Sequence, residues 1–308
     1  MGSIFSAIGR GINAIISAIA GVIETIVSAI TSVIVTIFRV IEDILCCRCC
    51  GSRRRSGGRR GRTYDFHFEN LFAGNMPIWL VTGSSRGIGL EFVRQIAQNG
   101  DEVIAAARNP ENSEALQILS KSFPHISLIK MDIDDPESIK TAAQEVEKIL
   151  QGRGLDYLIN NAAKGGNDKP SEIDPERFFS FMRSNCLGPT LVWQALIPAL
   201  ERSTRPEGPV VVNMTTGLAS FGLDIGVKNA CYSTSKTALN MMTYKKSKEK
   251  PNMIIFIMDP GWVKTDMGGE GAMLEIPFSV SEQYKQAVNA TSKDSGTFKR
   301  YDGAILPW

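Results

Sequence analysis

The segment Ile78–Gly89, IWLVTGSSRGIG, limits the possible folds of this chain more than any other segment. In it, an apolar run of strand length leads directly into a glycine-rich turn and the start of a helix. Gly83, Gly87 and Gly89 omit the side chains that would hold a pyrophosphate away from the backbone, and the following helix directs unpaired N–H groups toward it. The G-x3-G-x-G spacing differs from the commoner G-x-G-x-x-G, so an ordinary structural turn is the alternative. The pattern predicts a dinucleotide site.

The charge distribution separates an acidic body from a short basic segment. The 308 residues carry a net charge of +2, but seven arginines lie within residues 48–62 and residues 1–45 carry −1. Residues 63–308 therefore carry −4. Phosphate binding depends on clustered Lys and Arg, so we expect no nucleic-acid partner.

The cysteines and histidines argue against a disulfide framework and a metal centre. Four cysteines cluster within residues 46–50, while Cys186 and Cys231 are isolated, which fits a reducing cytosol. The two histidines, His67 and His125, lie outside metal-ligand spacing from Cys or acids. We therefore expect no catalytic metal and no Ser/His/Asp hydrolysis.

Residues 1–45 are predicted to form an amphipathic, membrane-associating helix. Isoleucines and valines recur every seven positions in two rows, and the opposite face is small and weakly polar. We favour a helix lying in the membrane interface. A spanning helix is the competitor, but the uncharged stretch of residues 25–38 is shorter than the roughly twenty residues needed to cross, and extending it buries Glu24.

Lipid attachment is predicted at two places near this helix. Gly2, with Ser6 behind it, matches the myristoylation pattern, and the cysteines of Cys46–Cys50 are suited to palmitoylation. Residues 46–74, rich in Arg, Gly and Ser, are interpreted as a flexible tether that attracts anionic lipid. A chance match beside a disordered linker is the alternative. The prediction is a cytoplasmic protein peripherally attached to a membrane.

Residues 75–308 alternate between strand and helix patterns. We predict strands near 77–82, 102–107, 126–131, 155–160, 209–214 and 252–258, and helices near 87–98, 113–122, 136–150, 175–201 and 232–247. The alternation predicts an α/β fold, a doubly wound parallel (Rossmann) sheet flanked by helices on both faces. Its ligand site is expected at the carboxyl ends of the strands.

Two arginines favour a phosphorylated ribose. Arg108 ends the second strand, where an NAD-binding chain places an acid, and Arg86 lies inside the glycine turn. Two guanidinium groups there favour a 2′-phosphate, so NADP(H) is predicted over NAD(H), with a solvated strand-end charge as the alternative for Arg108. Asp132 is placed to accept from the adenine amine, and helix capping by Asp132 or Asp134 is nearly as well supported.

Tyr232 and Lys236 lie four residues apart, a spacing that places both on one face of a helix. A phenol has an ordinary pKa of about 10, and an adjacent ammonium and a nicotinium charge are expected to lower the pKa of Tyr232. Tyr232 can then exchange a proton with a carbonyl oxygen. A Y-x-x-x-K match also occurs by chance on surface helices, so it depends on the other motifs.

Taken together and in order, these motifs resemble the short-chain dehydrogenase/reductase family over about residues 76–308. They are T-G-x-x-x-G-x-G, N-N-A-A at Asn160–Ala163, Asn185, the Tyr232/Lys236 pair and D-P-G-W-V-K-T at Asp259–Thr265. PGWVKTDMGG at Pro260–Gly269 and the ending of residues 301–308 are most similar to sniffer-like and C-factor-like carbonyl reductases, a branch that also resembles norsolorinic acid ketoreductase.

The resemblance implies a catalytic tetrad of Asn185, Thr216, Tyr232 and Lys236. Asn185 would hold a water of a proton relay, Tyr232 would be the general acid, and Lys236 would bind the nicotinamide ribose and lower the pKa of Tyr232. Thr216 stands in the segment VVVNMTT, where the family usually has a Ser pair. Its hydroxyl is retained with an added methyl group. Ser220 is the weaker substitute.

The glycine turn, the arginines and the resemblance together assign the NADP(H) contacts. Thr265 would hold the nicotinamide carboxamide. The predicted cofactor-binding residues are Gly83, Ser85, Arg86, Gly87, Ile88, Gly89, Arg108, Asp132, Ile133, Asn161, Ala162, Tyr232, Lys236, Pro260, Val263 and Thr265.

Residues 266–290, rich in Gly, Met and apolar residues, are interpreted as a mobile lid over the substrate, with a plain surface loop as the alternative. The family also implies a homodimer or homotetramer through the helices 175–201 and 232–247. Trp193, Met182 and Phe181 are assigned to the core.

The predicted function is NADPH-dependent reduction of a carbonyl (ketone or aldehyde) on a small hydrophobic substrate by a membrane-tethered oxidoreductase. The alternative is a non-catalytic dinucleotide-binding sensor or scaffold at a membrane, with Thr216 as a sign of lost chemistry. A third hypothesis is that the anchor and the reductase are separate units joined in one reading frame.

Overall fold

The computed structural model describes residues 76–308. The predicted helix of residues 1–45, Gly2, the cysteines of Cys46–Cys50 and the tether of residues 46–74 lie outside the described residues. Between residues 76 and 308, no helix combines the length and apolarity needed to cross a bilayer.

A seven-stranded, all-parallel sheet organises the described chain, in the order β3-β2-β1-β4-β5-β6-β7. The prediction of a doubly wound parallel sheet is therefore confirmed. The strands are β1 Ile78–Thr82, β2 Glu102–Ala107, β3 Ile126–Lys130, β4 Tyr157–Asn160, β5 Val210–Met214, β6 Ile254–Asp259 and β7 Phe298–Arg300.

Seven α-helices accompany these strands in the described part of the chain. They are α1 Gly87–Gln98, α2 Glu114–Ser122, α3 Pro136–Leu150, α4 Pro175–Met182, α5 Gly188–Glu201, α6 Ala230–Glu249 and α7 Ile276–Val288. Short 3-10 turns lie at Pro110–Asn112, Pro170–Glu172, Gly217–Ala219 and Ser292–Asp294.

Each face of the sheet carries its own apolar core. In β1, Trp79 and Val81 pack on the face covered by α1, α2 and α7, whereas Ile78 and Leu80 pack on the face covered by α3 and α5. A fully buried side chain of this size stabilises the fold by about 1.5–3 kcal/mol. Burial on both faces explains why β1 is a continuous apolar run rather than an alternating one.

The predicted helix 175–201 is interrupted by one wide π turn, Arg183–Leu187, between α4 and α5. Pro189 lacks a backbone N–H and therefore cannot bond to the carbonyl of Asn185 in the α-helical pattern. The π turn accommodates this loss and buries Asn185. A predicted catalytic residue thus sits in the irregular turn.

The mobile lid predicted for residues 266–290 is wrong for its second half. Residues 276–288 form α7, which begins with Pro277 in its first turn and packs against α1. Val280 and Ala287 belong to the core, and buried Gln283 donates to Ser279 at 2.8 Å. Within the predicted lid, residues 266–275 and 289–290 lie outside the helix.

Candidate active site

The glycine turn after β1 forms a cradle that side chains would fill. Gly83 and Gly87 adopt left-handed backbone conformations, with φ of +69° and +57°. A Cβ on Gly89 would lie 2.3 Å from the Gly83 carbonyl oxygen and 2.5 Å from Asn161 Nδ2. Within the described chain no side chain caps α1, so its first N–H groups face outward. This arrangement fits a dinucleotide phosphate.

The end of β4 holds this turn in place. Asn161 Nδ2 donates to the carbonyl oxygens of Thr82 at 2.9 Å and Gly83 at 3.3 Å. The backbone N–H groups of Asn161 and Ala162 donate to Thr82 Oγ1 at 3.0 and 3.1 Å. The Asn161 side chain, predicted to bind cofactor, therefore supports the cradle from behind.

A cleft of about 520 Å³ opens beside the cradle, above the carboxyl ends of β1 to β4. β1 lies between β2 and β4, so this is the switch point where open α/β sheets bind ligands. Seven predicted cofactor residues line the cleft: Gly83, Ser85, Arg86, Arg108, Asp132, Ile133 and Ala162.

Sequence reasoning missed nine other lining residues. They follow the ends of β2, β3 and β4 or lie in the π turn, and position after a strand end was the available signal for most of them. They are Ala107, Asn109, Asn112, Ser113, Met131, Asp134, Ala163, Lys164 and Ser184.

The helix after β3 is capped by a different acid from the two considered in the sequence. The N-cap of α3 is Asp135, whose Oδ1 accepts from Glu137 N at 3.0 Å, so capping by Asp132 or Asp134 is wrong. Asp132 Oδ1 accepts from the Asp134 N–H at 3.0 Å and closes a local turn. The local turn places Asp132 on the cleft wall, where its position remains compatible with an adenine contact.

Asp134 is tied across the cleft to Lys164. The Lys164 ammonium lies 2.7 Å from Asp134 Oδ2, and Ser184 Oγ donates to Asp134 Oδ1 at 2.5 Å. Burial opposes ionisation of Asp134, but the hydrogen bonds from Lys164 and Ser184 and the charges of Lys164 and Arg108 hold its pKa below the ordinary value. Asp134 is therefore a carboxylate at neutral pH.

Both predicted 2′-phosphate ligands lie at this cleft. Arg108 is exposed at the end of β2. Arg86 Nη1 lies 3.0 Å from Asp266 Oδ2, with both side chains about three-quarters exposed. An ion pair this exposed is weak, so Arg86 can exchange Asp266 for a phosphate.

Tyr232 and Lys236 lie on α6, one turn apart. The Lys236 ammonium is buried and donates to the Met214 carbonyl at 2.7 Å, at the end of β5. It lies 6.0 Å from the centroid of the Tyr232 ring. The pair therefore stands at the carboxyl edge of the sheet, beyond the dinucleotide cleft and above β5.

The pKa values of this pair differ from the sequence-based expectation. Burial raises the pKa of the Tyr232 hydroxyl above its ordinary value, and the charge of Asp259 adds to the shift. Burial lowers the pKa of Lys236 to about 7. In this structure Lys236 donates to Met214 rather than to the phenol. The phenol is consequently protonated at neutral pH.

The side chain of Asn185 is held by three hydrogen bonds. Its Nδ2 donates to the Lys164 carbonyl and to Ser235 Oγ, both at 2.9 Å, and its Oδ1 accepts from the Lys164 N–H at 2.8 Å. Both amide protons are used, and Oδ1 keeps one lone pair. A relay water that uses the Asn185 side chain is therefore restricted to donating to Oδ1.

Thr216 keeps a hydroxyl at the end of β5. Its Oγ1 accepts from Leu218 N at 3.3 Å, which leaves the hydroxyl proton for another acceptor. Thr237 Oγ1, on α6, lies within hydrogen-bond distance of the Ser233 carbonyl at 3.0 Å and of the Ala219 carbonyl at 3.2 Å. Ser220 Oγ donates to the Pro307 carbonyl at 2.7 Å, so Ser220 is committed to the C-terminal segment.

The segment after β6 closes the site opposite α1. A Cβ on Gly87 would lie 3.5 Å from Thr265 Cγ2, which places Thr265 beside the glycine turn. Val263 is buried, and the Pro260 carbonyl accepts from Ser279 Oγ at 2.7 Å. Ile88 is half-buried against the core. These residues form the far wall of the predicted cofactor site.

Metal ligands are absent from the described site. Between residues 76 and 308, no group of three or more His, Cys, Asp or Glu side chains is placed to hold a metal ion.

Known proteins share this fold. An NADPH-bound carbonyl reductase from chicken fatty liver superposes with a TM-score of 0.72 at 31% identity, over 76% of this chain and 99% of that one. The carbonyl reductase Sniffer of Drosophila melanogaster gives a TM-score of 0.72 at 27% identity, over 76% and 100%.

Sequence relatives agree with these structures. The norsolorinic acid ketoreductase of Dothistroma septosporum is 30% identical over 250 residues, covering 75% of this chain and 92% of that protein. The family profile described as short chain dehydrogenase matches residues 77–272. The chain belongs to the short-chain dehydrogenase family of oxidoreductases, and its structural neighbours are sniffer-like carbonyl reductases.

Proposed function

We propose that this protein is an NADPH-dependent oxidoreductase that reduces a ketone or aldehyde carbonyl on a small hydrophobic substrate. The observation that carries the proposal is the Tyr232/Lys236 pair on α6, whose lysine donates to the Met214 carbonyl at the end of β5, two residues before Thr216. A protonated phenol beside a dinucleotide site is suited to deliver a proton to a carbonyl oxygen.

The cofactor would lie along the carboxyl edge of the sheet. The cradle of Gly83, Gly87 and Gly89 would hold its pyrophosphate, with Thr265 at the nicotinamide end. When bound, NADPH supplies the hydride that adds to the carbonyl carbon. The preference for NADP(H) is supported by Arg86 and Arg108 at the cleft and by the NADPH bound to the chicken carbonyl reductase.

Two hydroxyl groups would act on the carbonyl oxygen, with the Lys236 amine behind them. Tyr232 is protonated at neutral pH and would donate its proton as the oxygen becomes an alcohol; because its raised pKa makes it a weaker acid than a free phenol, the charge developing on the oxygen would drive the transfer. Thr216 donates a second hydrogen bond with its free proton, which stabilises the developing charge. Lys236, with a pKa of about 7, is able to exchange protons with its surroundings near neutrality.

A hydrophobic substrate is supported by the loops beside this pair. A Cβ on Gly217 would lie 3.3 Å from Leu223 Cδ1 and 3.4 Å from Ile225 Cδ1, so both side chains reach the turn after β5. Trp262 and Met273 are largely exposed on the segment after β6. Apolar side chains on both loops favour a substrate that presents little charge.

The second candidate, a non-catalytic dinucleotide sensor, is favoured by Thr216 in place of serine. NADPH oxidation by the full chain in detergent, with a panel of aldehydes and diketones, separates the two. We expect turnover with at least one hydrophobic carbonyl compound. Nucleotide binding without turnover across the whole panel would favour the sensor.

We also propose attachment to a membrane surface in the cytoplasm and assembly into a homodimer or homotetramer. Membrane attachment is supported by the apolar rows of residues 4–45, Gly2 and the cysteines of Cys46–Cys50. Assembly through the helices α5 and α6 is supported by exposed Met241, Met242 and Tyr244 on α6. The native mass, measured in detergent, tests the assembly.

A further inference from the structure

We propose that Lys164 is a positioning residue that couples the dinucleotide cleft to Asn185. This inference rests on the proposed function, because Asn185 has a role only if Tyr232 exchanges protons. Lys164 follows N-N-A-A at the end of β4 and lines the cleft. Its side chain and its backbone bind different parts of the site.

The side chain of Lys164 joins three segments around the cleft. Its ammonium lies 2.7 Å from Asp134 Oδ2, after β3, and donates to Ser180 Oγ at 3.0 Å, in α4. Asp134 in turn accepts from Ser184 Oγ at 2.5 Å. Ser184 is buried in the π turn and directly precedes Asn185.

The backbone of Lys164 holds the side chain of Asn185. The Lys164 N–H donates to Asn185 Oδ1 at 2.8 Å, and its carbonyl accepts from Asn185 Nδ2 at 2.9 Å. Asn185 is therefore placed by residue 164 directly and, through Ser184 and Asp134, by the same residue's ammonium. If the ammonium is removed, Asn185 keeps its hydrogen bonds to the Lys164 backbone but loses the connection through Asp134 and Ser184.

Asp134, Lys164 and Ser184 are all wall residues of the cleft. A molecule that fills the cleft would fix the distance between the segments after β3 and β4. Because Lys164 binds Asp134 and Asp134 binds Ser184, a change in that distance would also move the π turn. Asp134 is ionised at neutral pH, since its pKa is held below the ordinary value, so the network carries full charge under working conditions.

The test compares Lys164→Met, Lys164→Arg and Asp134→Asn in the full chain, in detergent. Lys169→Met is the matched control, because Lys169 lies on the same loop and makes an exposed pair with Glu172 at 3.3 Å. The readouts are kcat and KM for NADPH with phenanthrenequinone, the solvent deuterium isotope effect on kcat, and backbone hydrogen exchange at residues 163–166 and 183–187.

In Lys164→Met we expect kcat to fall about tenfold, because a displaced relay slows proton supply to Tyr232. The solvent isotope effect should rise, since proton transfer becomes rate-limiting. Lys164→Arg should recover most of kcat. The double variant with Asp134→Asn and Lys164→Met should lose no more kcat than either single variant, because both changes break the same set of contacts. Hydrogen exchange at residues 183–187 should be about fivefold faster.

The proposal is overturned if Lys164→Met matches Lys169→Met in kcat, isotope effect and hydrogen exchange, or if the Asp134 and Lys164 effects add. The exchange measurement needs no turnover. If the wild-type chain reduces none of the carbonyl compounds, the proposed function fails, and hydrogen exchange at residues 183–187 with and without NADPH still decides whether Lys164 joins the cleft to Asn185.

Discussion

Arg108 carries much of the proposed cofactor preference at the scale of single residues. It stands directly after β2, on the wall of the cleft, and its charge also favours the ionised form of Asp134. An acid at this position would repel a 2′-phosphate and accept from ribose hydroxyls instead.

We predict that Arg108→Asp raises KM for NADPH about 10–100-fold while changing KM for NADH much less, because only NADPH carries the 2′-phosphate. Steady-state kinetics with both nucleotides and one carbonyl substrate measure this. Equal changes for the two nucleotides would contradict the assignment.

Lys246 is a buried amine outside the proposed chemistry. It is 3% exposed on α6, its Nζ lies 5.2 Å from the centroid of the Trp193 ring, and within residues 76–308 it has no hydrogen-bond partner. Burial lowers its pKa to about 8, with Cys186 opposing the shift. Below pH 8 the folded protein therefore holds a charge that water would solvate better.

We predict that Lys246→Met raises the free energy of unfolding at pH 7 by about 1–3 kcal/mol. The unfolded chain keeps the Lys246 proton up to its ordinary pKa of 10.5, whereas the folded chain loses it near pH 8. Between these two pH values the free energy of unfolding of the wild type should therefore rise relative to that of the variant. Urea unfolding at pH 7 and at higher pH measures both effects. Exposed Lys248→Met is the control, and a variant less stable than wild type at pH 7 would contradict the account.

At the scale of elements, the β1–α1 turn depends on the absence of one side chain. Gly89 lies inside α1 and has a helical backbone conformation that any residue can adopt. A side chain at this position would therefore clash with neighbouring atoms without straining the backbone. The Gly83 carbonyl and Asn161 Nδ2 would both have to move away from an added methyl group.

We predict that Gly89→Ala destabilises the fold by about 1–3 kcal/mol and also weakens NADPH binding, because the displaced groups form the cradle. Gly100→Ala is the contrast. The φ of Gly100 is +88° and nothing lies within 4 Å of an added Cβ, so this variant should be less stable but should bind NADPH with unchanged affinity. Urea unfolding and NADPH titration separate the two. Unchanged NADPH affinity in Gly89→Ala would count against the cradle.

The sequence predicted the six longer strands and the position of the glycine turn. Strands that are buried on both faces are continuous apolar runs bounded by turns, and such runs are visible in the sequence. It missed α7 and β7. The inner face of α7 buries Ser279 and Gln283, which weakens the apolar period, and β7 has three residues. The Lys164–Asp134 pair joins residues thirty positions apart through the sheet order, which no local pattern reports.

At the scale of the whole molecule, the proposal combines a reductase with a membrane anchor. The reductase belongs to residues 76–308, and the anchor rests on residues 1–74 of the sequence. A single acyl chain binds membranes weakly, so stable attachment needs the second signal supplied by the cysteines or the arginines.

We predict that Gly2→Ala, or replacement of all four cysteines of Cys46–Cys50 by Ser, moves the protein from the membrane fraction to the soluble fraction without loss of reductase activity. Fractionation of expressing cells, followed by an NADPH oxidation assay on each fraction, measures this. Full recovery in the membrane fraction for both variants would refute lipid attachment.

The most direct test of the account is kcat of the full chain with NADPH and a hydrophobic diketone, compared between wild type and Tyr232→Phe. This change removes the proton donor and keeps the ring. We predict that kcat falls about 10²–10⁴-fold, while the dissociation constant for NADPH stays within about twofold. A Tyr232→Phe protein that keeps wild-type kcat would contradict the central claim.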